Sequence, residues 1–79
     1  MPYFIYILEC ADKTLYIGST NDVERRVHAH NFSKTGARYT KSRRPVILKY
    51  KENLKTKSRA LKREWALKKM TRAEKLQLF

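Results

Sequence analysis

The sequence has few of the residues that form disulfides, tight turns or membrane spans. Cys10 is its one cysteine, so no disulfide can form within the chain. The longest apolar run, Phe4 to Leu8, is far shorter than the ~18 residues that a membrane-spanning helix needs. No secretory signal pattern follows Met1. These absences predict a reduced, cytoplasmic protein with no membrane segment.

Glycine and proline are also scarce, with two of each in 79 residues. No internal repeat, low-complexity tract or flexible linker interrupts the chain. A chain of this length has room for one small hydrophobic core. We therefore expect a single domain over residues 1–79.

Acidic residues are scarce beyond the first third of the chain. Residues 1–24 hold one lysine and four acidic residues, whereas residues 25–79 hold 18 Lys/Arg and three acidic residues. The net charge of +12 makes nucleic acid the expected partner, with nucleoid association if that nucleic acid is DNA. The alternatives are a merely soluble basic surface and an anionic membrane, which is disfavoured because no basic helix has a broad apolar face. No obligate protein partner is indicated.

Hydrophobic periodicity and turn residues predict three strands and three helices in the order β-β-α-β-α-α. The expected class is α+β, a small three-stranded antiparallel sheet flanked by helices. The predicted elements are strands Tyr3–Cys10 and Thr14–Gly18 around an Ala11–Lys13 turn, a helix ending near His30, a polar loop over 31–36, a short helix or ordered loop over 37–44, a strand Val46–Lys51, a helix Thr56–Lys69 and a terminal helix after Thr71.

Local signals set the ends and faces of these elements. Asn21 is expected to cap the first helix in a capping box with Glu24, and Thr71 to cap the last with Glu74. Pro45 opens the third strand. The residues expected to share one face are Val46, Leu48 and Tyr50 in that strand, Ala60, Leu61, Trp65 and Leu67 in the long helix, and Leu76, Leu78 and Phe79 at the end.

Two polar residues fall on the apolar stripe of the first helix. Val23 and Val27 mark this stripe, and Arg26 and His30 share it by three- and four-residue spacing. Either residue alone is explained by packing, with Arg26 laying its methylenes over the sheet and His30 a satisfied histidine at the core edge. Both together, beside a hairpin rich in tyrosine, favour a functional site.

Glu64 is a charge among the apolar residues of the long helix. An ionised carboxylate there needs a charged partner or a metal ion. An ion pair with Lys68 or with Arg26 is the structural alternative. An exposed pair contributes less than ~1 kcal/mol, so a metal-binding or catalytic role is the favoured interpretation.

The hairpin carries two tyrosines that can share a face. Tyr6 and Tyr16 converge only if the connecting loop has an odd number of residues. Gly18, two residues after Tyr16, leaves space beside that phenol for a ligand or another backbone. The structural alternative is that both tyrosines simply pack in the core.

These residues, taken in order, resemble the GIY-YIG nuclease superfamily over essentially the whole chain. Phe4-Ile5-Tyr6 stands where the family has Gly-Ile-Tyr, and Tyr16-Ile17-Gly18 matches its second tripeptide. Arg26 and His30 match the helix motif, and Glu64 matches the metal-binding glutamate. The likeness is to small stand-alone bacterial members. Through the segments Gly36-Ala37-Arg38-Tyr39-Thr40 and Arg43-Arg44-Pro45, it extends to the catalytic domain of the subunit that cuts branched DNA.

The resemblance implies hydrolysis of a DNA phosphodiester with one divalent ion, Mg²⁺ or Mn²⁺, in repair or processing of branched or damaged DNA. Glu64 would be the metal ligand and Arg26 would hold the scissile phosphate. Tyr6 would orient and deprotonate the attacking water. Tyr16 and His30 would complete the catalytic set, with His30 a proton relay. Gly18 would be structural at the site.

Basic residues outside this set are the expected contacts to the nucleic acid backbone. Tyr39 is expected either to stack on an exposed base or to lie in the core. The nucleic-acid-binding candidates are Arg38, Tyr39, Lys41, Arg43, Arg44 and Lys62, with Lys57, Arg59 and Arg63 as further phosphate contacts.

Two other functions are compatible with parts of the sequence. A non-catalytic nucleic-acid-binding module would keep the fold without turnover. A basic protein that joins an RNA–protein assembly would explain the charge, but it leaves Arg26, His30 and Glu64 on apolar stripes unexplained.

Overall fold

The computed structural model describes residues 2–33 and 38–79, with the side chain of Arg38 excluded. Half of the predicted polar loop over 31–36, residues 34–36, therefore lies outside the described residues. The elements are β1 (Tyr3–Glu9), β2 (Leu15–Thr20), α1 (Val23–Phe32), α2 (Arg38–Lys41), β3 (Ile47–Leu54), α3 (Lys57–Lys68) and α4 (Arg72–Leu76). The predicted α+β class and element order are confirmed, and α2 is the short helix expected between residues 37 and 44.

The three strands form one antiparallel sheet in the order β2-β1-β3, so β1 is central and β2 is an edge. Residues 10–14 connect β1 to β2, which makes the loop odd in length. Tyr6 therefore lies opposite Gly18 and Leu8 opposite Tyr16. Because directly paired residues point to the same face, Tyr6 and Tyr16 share a face, as the parity argument requires.

Helices cover both faces of the sheet, and β1 is buried from Ile5 to Leu8. On one face, Ile5, Ile7 and Ile17 pack against two α3 residues, Ala60 and Leu67. The opposite face carries a second cluster, which contains Tyr6, Leu8, Cys10, Val23 and Val46. Residues of even number in β1 thus point toward α1, and those of odd number toward α3.

A β-bulge in β3 overturns the predicted facing of the third strand. Ile7 pairs with Tyr50, but the next residue, Leu8, pairs with Leu48, so Lys49 is the extra residue. Leu48 consequently packs in the cluster on the α1 side and Tyr50 in the cluster on the α3 side. The expectation that these two side chains share a face was wrong, because strict alternation does not hold across a bulge.

The start of α1 also differs from the sequence prediction. Asp22, not Asn21, is the cap: its backbone is extended and its Oδ1 accepts a hydrogen bond from the amide of Arg25 at 3.2 Å. The predicted Asn21–Glu24 capping box is therefore wrong by one residue. The helix continues to Phe32, two residues beyond the predicted end.

The outer face of α3 is less buried than its apolar residues suggest. Ala60 and Leu67 are buried, but Leu61 and Trp65 are exposed, so the expectation that all four share one face was wrong. Residues 60 and 67 lie two turns apart on one stripe, and positions 61 and 65 lie further round the helix. The predicted capping box of α4, Thr71 with Glu74, is present. Within residues 2–33 and 38–79, no helix has the length and apolar character to cross a bilayer.

Candidate active site

Three aromatic rings from three elements meet on the α1 face of the sheet. The ring centroids of Tyr6 and Tyr16 are 6.5 Å apart, and that of His30 lies 5.8 Å from Tyr6 and 5.0 Å from Tyr16. The hydroxyl of Tyr6 lies 2.9 Å from Nε2 of His30. The sequence thus selected three residues that the fold brings into mutual contact.

Gly18 makes room for the Tyr6 phenol. A Cβ built on Gly18 would lie 2.4 Å from the Tyr6 hydroxyl oxygen and 2.6 Å from its Cζ. The space that the sequence predicted beside Tyr16 for a ligand or another backbone is therefore filled by the Tyr6 side chain. Only glycine at this position lets the hydroxyl end of Tyr6 come this close to the edge strand.

Replacing Gly18 by alanine is expected to destabilise the fold by about 1–3 kcal/mol, because Tyr6 is only 1% exposed and cannot swing away. Urea unfolding monitored by circular dichroism measures the change. Ser19→Ala, on the opposite face of the same strand, is the matched control and should change stability little. Equal stabilities of the Gly18→Ala variant and the wild type would mean that Tyr6 does not lie over Gly18.

His30 links the ring cluster to α2. Its Nδ1 lies 2.8 Å from the hydroxyl of Thr40, and both residues are fully buried. Burial, with the positive charges of Arg26 and Arg44, lowers the pKa of His30 from 6.5 to about 4. The imidazole is therefore neutral at pH 7, so one ring nitrogen donates and the other accepts. In the hydrogen-bonded series Tyr6–His30–Thr40, His30 therefore accepts from one hydroxyl and donates to the other.

The buried histidine predicts a loss of stability in mild acid. Between about pH 6.5 and about pH 4 the unfolded chain binds a proton that the folded chain excludes, so stability should fall as the pH is lowered through this window. The full loss is about 3 kcal/mol. Urea unfolding from pH 7.5 to pH 4.5 measures it. A His30→Gln variant should show a flatter pH dependence, whereas His28→Gln on the same helix should retain the wild-type slope; identical slopes for both variants would refute this assignment.

Arg26 and Glu64 act electrostatically on the same phenol. Burial, with smaller contributions from the charges of Tyr16 and Glu64, raises the pKa of Tyr6 to about 12, although a hydrogen bond and the positive charge of Arg26 oppose this rise. The two helices lie on opposite faces of the sheet. The charges of Arg26 and Glu64 both affect the pKa of Tyr6. The hydroxyl of Tyr6 lies against Gly18 on edge strand β2.

Glu64 is mostly covered, with its side chain 18% exposed. Its Oε2 lies 2.9 Å from Nζ of Lys68, the ion pair that the sequence offered as the structural alternative. Oε1 makes no hydrogen bond or ion pair with a described residue. The carboxylate is therefore mostly shielded from solvent, and one of its two oxygens has no partner among the described residues.

Glu64 would offer a divalent ion a single carboxylate as its protein ligand. Across residues 2–33 and 38–79, no group of three or more His, Cys, Asp and Glu side chains is arranged to hold a metal ion. Mg²⁺ commonly binds through one or two carboxylates together with water and substrate phosphates. Glu64, with one oxygen unengaged, fits that mode of binding and does not fit an all-protein site.

An open cleft lies beside Arg26. It has a volume of ≈ 260 Å³ and is lined by Thr20, Asn21, Asp22, Arg25, Arg26 and Ala29. Arg26 itself is half-buried, forms a hydrogen bond with the Tyr6 phenol and lines this cleft. The arrangement offers a cation to an anion that enters from solvent.

The predicted nucleic-acid contacts divide into exposed and engaged side chains. Lys41 and Lys62 are exposed, as are Lys57 and Arg59. Arg63 instead pairs with Glu52, with its Nη2 2.9 Å from the carboxylate. The side chain of Arg38 lies outside the described residues.

Arg43 and Arg44 are held in the protein's own structure. Arg43 pairs with Asp12 at 3.0 Å, donates to the carbonyl of Tyr39 and lies 4.0 Å from the centroid of its ring. Tyr39 is partly exposed and stacks against Tyr16 with ring centroids 6.0 Å apart. Arg44 donates to carbonyls at the end of α1, those of His30, Ala29 and Ser33. Both arginines thus have structural contacts, and their role as phosphate contacts stays a prediction.

Sequence reasoning missed two residues that organise the site. Thr40 holds the far side of the His30 ring. Asn31 clamps the backbone of Val46, accepting from its amide at 2.7 Å and donating to its carbonyl at 3.0 Å. Asn31 follows Val27 by four residues, so its place on the stripe of α1 was a signal that could have marked it. No spacing signal marks Thr40.

Comparison with known proteins identifies the domain type. The family model described as the GIY-YIG catalytic domain matches residues 2–77. A UPF0213 protein of Syntrophus aciditrophicus is 59% identical over 75 residues, which are 95% of this chain and 86% of that protein. A UPF0213 protein of Staphylococcus aureus is 53% identical over 76 residues, covering 96% of this chain and 92% of that protein.

Two solved structures share the fold. The solution NMR structure of the UPF0213 protein BH0048 from Bacillus halodurans has a TM-score of 0.62 and 40% identity, covering 99% of this chain and 82% of that one. The solution NMR structure of the protein EF2693 from E. faecalis has a TM-score of 0.65 and 42% identity, covering 99% of this chain and 83% of that one.

Proposed function

The chain belongs to the GIY-YIG catalytic-domain family, a family of nucleases, and from this membership we propose that it is a metal-dependent endonuclease that hydrolyses DNA phosphodiesters. Its proposed setting is the repair or processing of branched or damaged DNA. The observation that carries the proposal is the contact of three aromatic rings on one face of the sheet, those of Tyr6, Tyr16 and His30. Arg26 forms a hydrogen bond with the phenol of Tyr6 in this cluster.

Glu64 is the residue we assign to a single divalent ion, Mg²⁺ or Mn²⁺. When bound, such an ion polarises a phosphoryl oxygen and lowers the pKa of bound water. Lys68 is exposed and flexible, so its ammonium can leave the carboxylate when a divalent charge replaces it. One carboxylate gives weak binding in the absence of DNA, and substrate oxygens complete the set of ligands.

Arg26 is assigned to the scissile phosphate. In hydrolysis, the water oxygen forms a bond to phosphorus while one P–O ester bond breaks, and negative charge on the phosphoryl oxygens must be stabilised. A guanidinium donates two parallel hydrogen bonds to such oxygens, which favours arginine over lysine. The cleft beside Arg26 gives a phosphodiester access to it.

We assign Tyr16 a role in the chemistry and Tyr6 a role in positioning. Tyr6 is buried and its pKa is raised to about 12, so its phenol is protonated at pH 7 and would need a nearby cation to act as the base that the sequence predicts. Tyr16 is half-buried and contacts His30, so we assign Tyr16 to orienting the attacking water. Tyr6 and His30 then act as positioning residues that hold Tyr16 and Arg26 in place.

A binding module without turnover is the second candidate, and one observation favours it. The ion pair with Lys68 balances the charge of the Glu64 carboxylate in the absence of any metal ion. A protein that only binds nucleic acid would keep this pair permanently.

Cleavage assays on defined DNA distinguish the two functions. End-labelled linear duplex, flapped and four-way DNA are incubated with Mg²⁺, Mn²⁺ or EDTA. The nuclease proposal predicts metal-dependent cutting that is abolished by EDTA, with branched substrates cut faster than linear duplex. Tight binding to all three substrates with no cleavage under any condition would favour the binding module.

A further inference from the structure

The outer face of α3 carries an apolar groove that the proposed chemistry does not use. Trp65 is 63% exposed and Leu61 is 47% exposed, one turn apart on this face. The groove has a volume of ≈ 510 Å³ and is lined by Lys57, Ser58, Leu61, Lys62 and Trp65. A large aromatic ring left in water on a small protein needs an explanation, because burying it would stabilise the fold.

Cations surround this groove. Nζ of Lys69 lies 3.4 Å from the centroid of the Trp65 ring. Lys57 and Lys62 form part of the lining, and no acidic side chain does. Within the described residues, none of these three lysines takes part in an ion pair. The face therefore pairs an aromatic and aliphatic surface with unneutralised positive charge.

We propose that this groove binds a single-stranded segment of nucleic acid, with a base stacked on Trp65 and phosphates held by the neighbouring lysines. Stacking on an exposed aromatic ring, beside cations that follow the backbone, is how proteins hold single strands without reading sequence. Leu61 precedes Trp65 by one turn and Lys69 follows it by one turn. Nζ of Lys69 covers one face of the Trp65 ring, so the base would stack on the opposite face.

The position of Trp65 connects the groove to the proposed site, on whose function this inference rests. Trp65 directly follows Glu64, so the two side chains project from α3 about 100° apart. A strand leaving the scissile phosphate at Glu64 can reach Trp65 within a few nucleotides. The groove therefore favours substrates with an unpaired strand beside the cut, such as flaps and forks, over continuous duplex.

A protein partner fits this surface less well. A second copy of the chain would bring another net charge of +12 against the same lysines. Single-stranded DNA instead supplies both an apolar base and the negative charge that these lysines lack. The occupant we commit to is therefore the single strand, and self-association is an outcome of the test.

Trp65 provides its own probe, because it is the one tryptophan in the chain. The wild-type protein is titrated in EDTA, which prevents cleavage, with oligo(dT) and with a duplex of the same length. We expect oligo(dT) to quench the tryptophan fluorescence. With three lysine contacts, log K should fall against log[salt] with a slope of about −2.

Variants separate stacking from packing and from charge. Trp65→Leu should weaken binding of labelled oligo(dT) about tenfold, and Trp65→Phe by much less, because stacking needs an aromatic ring. Duplex binding should change by less than about twofold, since a paired base cannot stack there. Lys62→Ala should make the slope of log K against log[salt] shallower by the contribution of about one phosphate contact. Lys49→Ala, on the β3 bulge, is the control for an exposed lysine outside the groove.

Three results would overturn the inference: unchanged fluorescence on saturation with oligo(dT), equal oligo(dT) affinity for Trp65→Leu and the wild type, or a dimer in sedimentation that Trp65→Leu abolishes. Failure of the proposed nuclease activity is distinguishable from these. It would appear as intact quenching in EDTA together with no cleavage when metal is added.

Discussion

Replacing Glu64 by glutamine is expected to lower kcat for DNA cleavage by about 10³-fold or more, the largest effect of any single substitution here. Glutamine keeps the size and polarity of the side chain but cannot supply the negative charge that a divalent ion requires. The fold should survive, because the ion pair with Lys68 is partly exposed and contributes less than ~1 kcal/mol. Single-turnover cleavage at saturating enzyme measures the chemical step separately from binding.

Glu24→Gln is the matched control for this variant. Glu24 is an exposed carboxylate in the first turn of α1, and its loss should leave kcat unchanged. Raising the Mn²⁺ concentration should recover little activity in Glu64→Gln. Cleavage by this variant at the wild-type rate would remove Glu64 from the mechanism and, with it, the assigned metal site.

The second large effect is expected from Arg26→Lys, with kcat reduced by about 10²–10³-fold. Lysine keeps the charge but loses the planar pair of donors that matches two phosphoryl oxygens. Affinity for DNA should change much less than kcat, since the overall charge is the same. A loss confined to KM would contradict a role of Arg26 in the transition state.

Arg25→Lys provides the control on the neighbouring residue. Arg25 is exposed and lines the same cleft, but it is not among the groups that act on the Tyr6 phenol. The same conservative change there should leave kcat within about twofold of the wild type. Equal losses in the two variants would indicate that the cleft, and not the site beside the ring cluster, determines the rate.

The sequence predicts those parts of the fold that depend on local period and parity. Alternation in Tyr3–Glu9 and an odd loop place Tyr6 and Tyr16 on one face, because side-chain direction in a strand repeats every two residues. The capping box at Thr71 is equally local, since its two hydrogen bonds span three residues. Such features need no knowledge of the rest of the chain.

Features that depend on the neighbouring element could not be predicted in this way. No residue around Lys49 in the sequence indicates the bulge that turns Leu48 and Tyr50 to opposite faces. Leu61 and Trp65 have helical apolar spacing, but which stripe of α3 meets the sheet is decided by the buried pair of Ala60 and Leu67. Periodicity identifies a stripe and does not identify its partner.

The candidate site shows the same division. Residue types and helical spacing selected Arg26, His30 and Glu64, because charge on an apolar stripe is visible in the sequence. The filling of the Gly18 space by Tyr6, and the hydrogen bond of Thr40 to His30, join residues 12 and 10 positions apart. Contacts of this kind depend on how β1, β2, α1 and α2 pack together, and local patterns in a single sequence do not reveal that packing.

Paramagnetic broadening by Mn²⁺ is the most direct test that these side chains surround one ion and one phosphate. The protein is labelled with ¹⁵N and bound to a flapped DNA whose scissile linkage is made resistant to cleavage, and amide signals are followed as Mn²⁺ is added. The predicted result is selective loss of the signals of Tyr16, Arg26 and Glu64, with Lys49 and Glu74 retained, and no such loss in Glu64→Gln. Broadening centred on Asp12 or Glu52, or broadening that persists in Glu64→Gln, would contradict the assignment of the site.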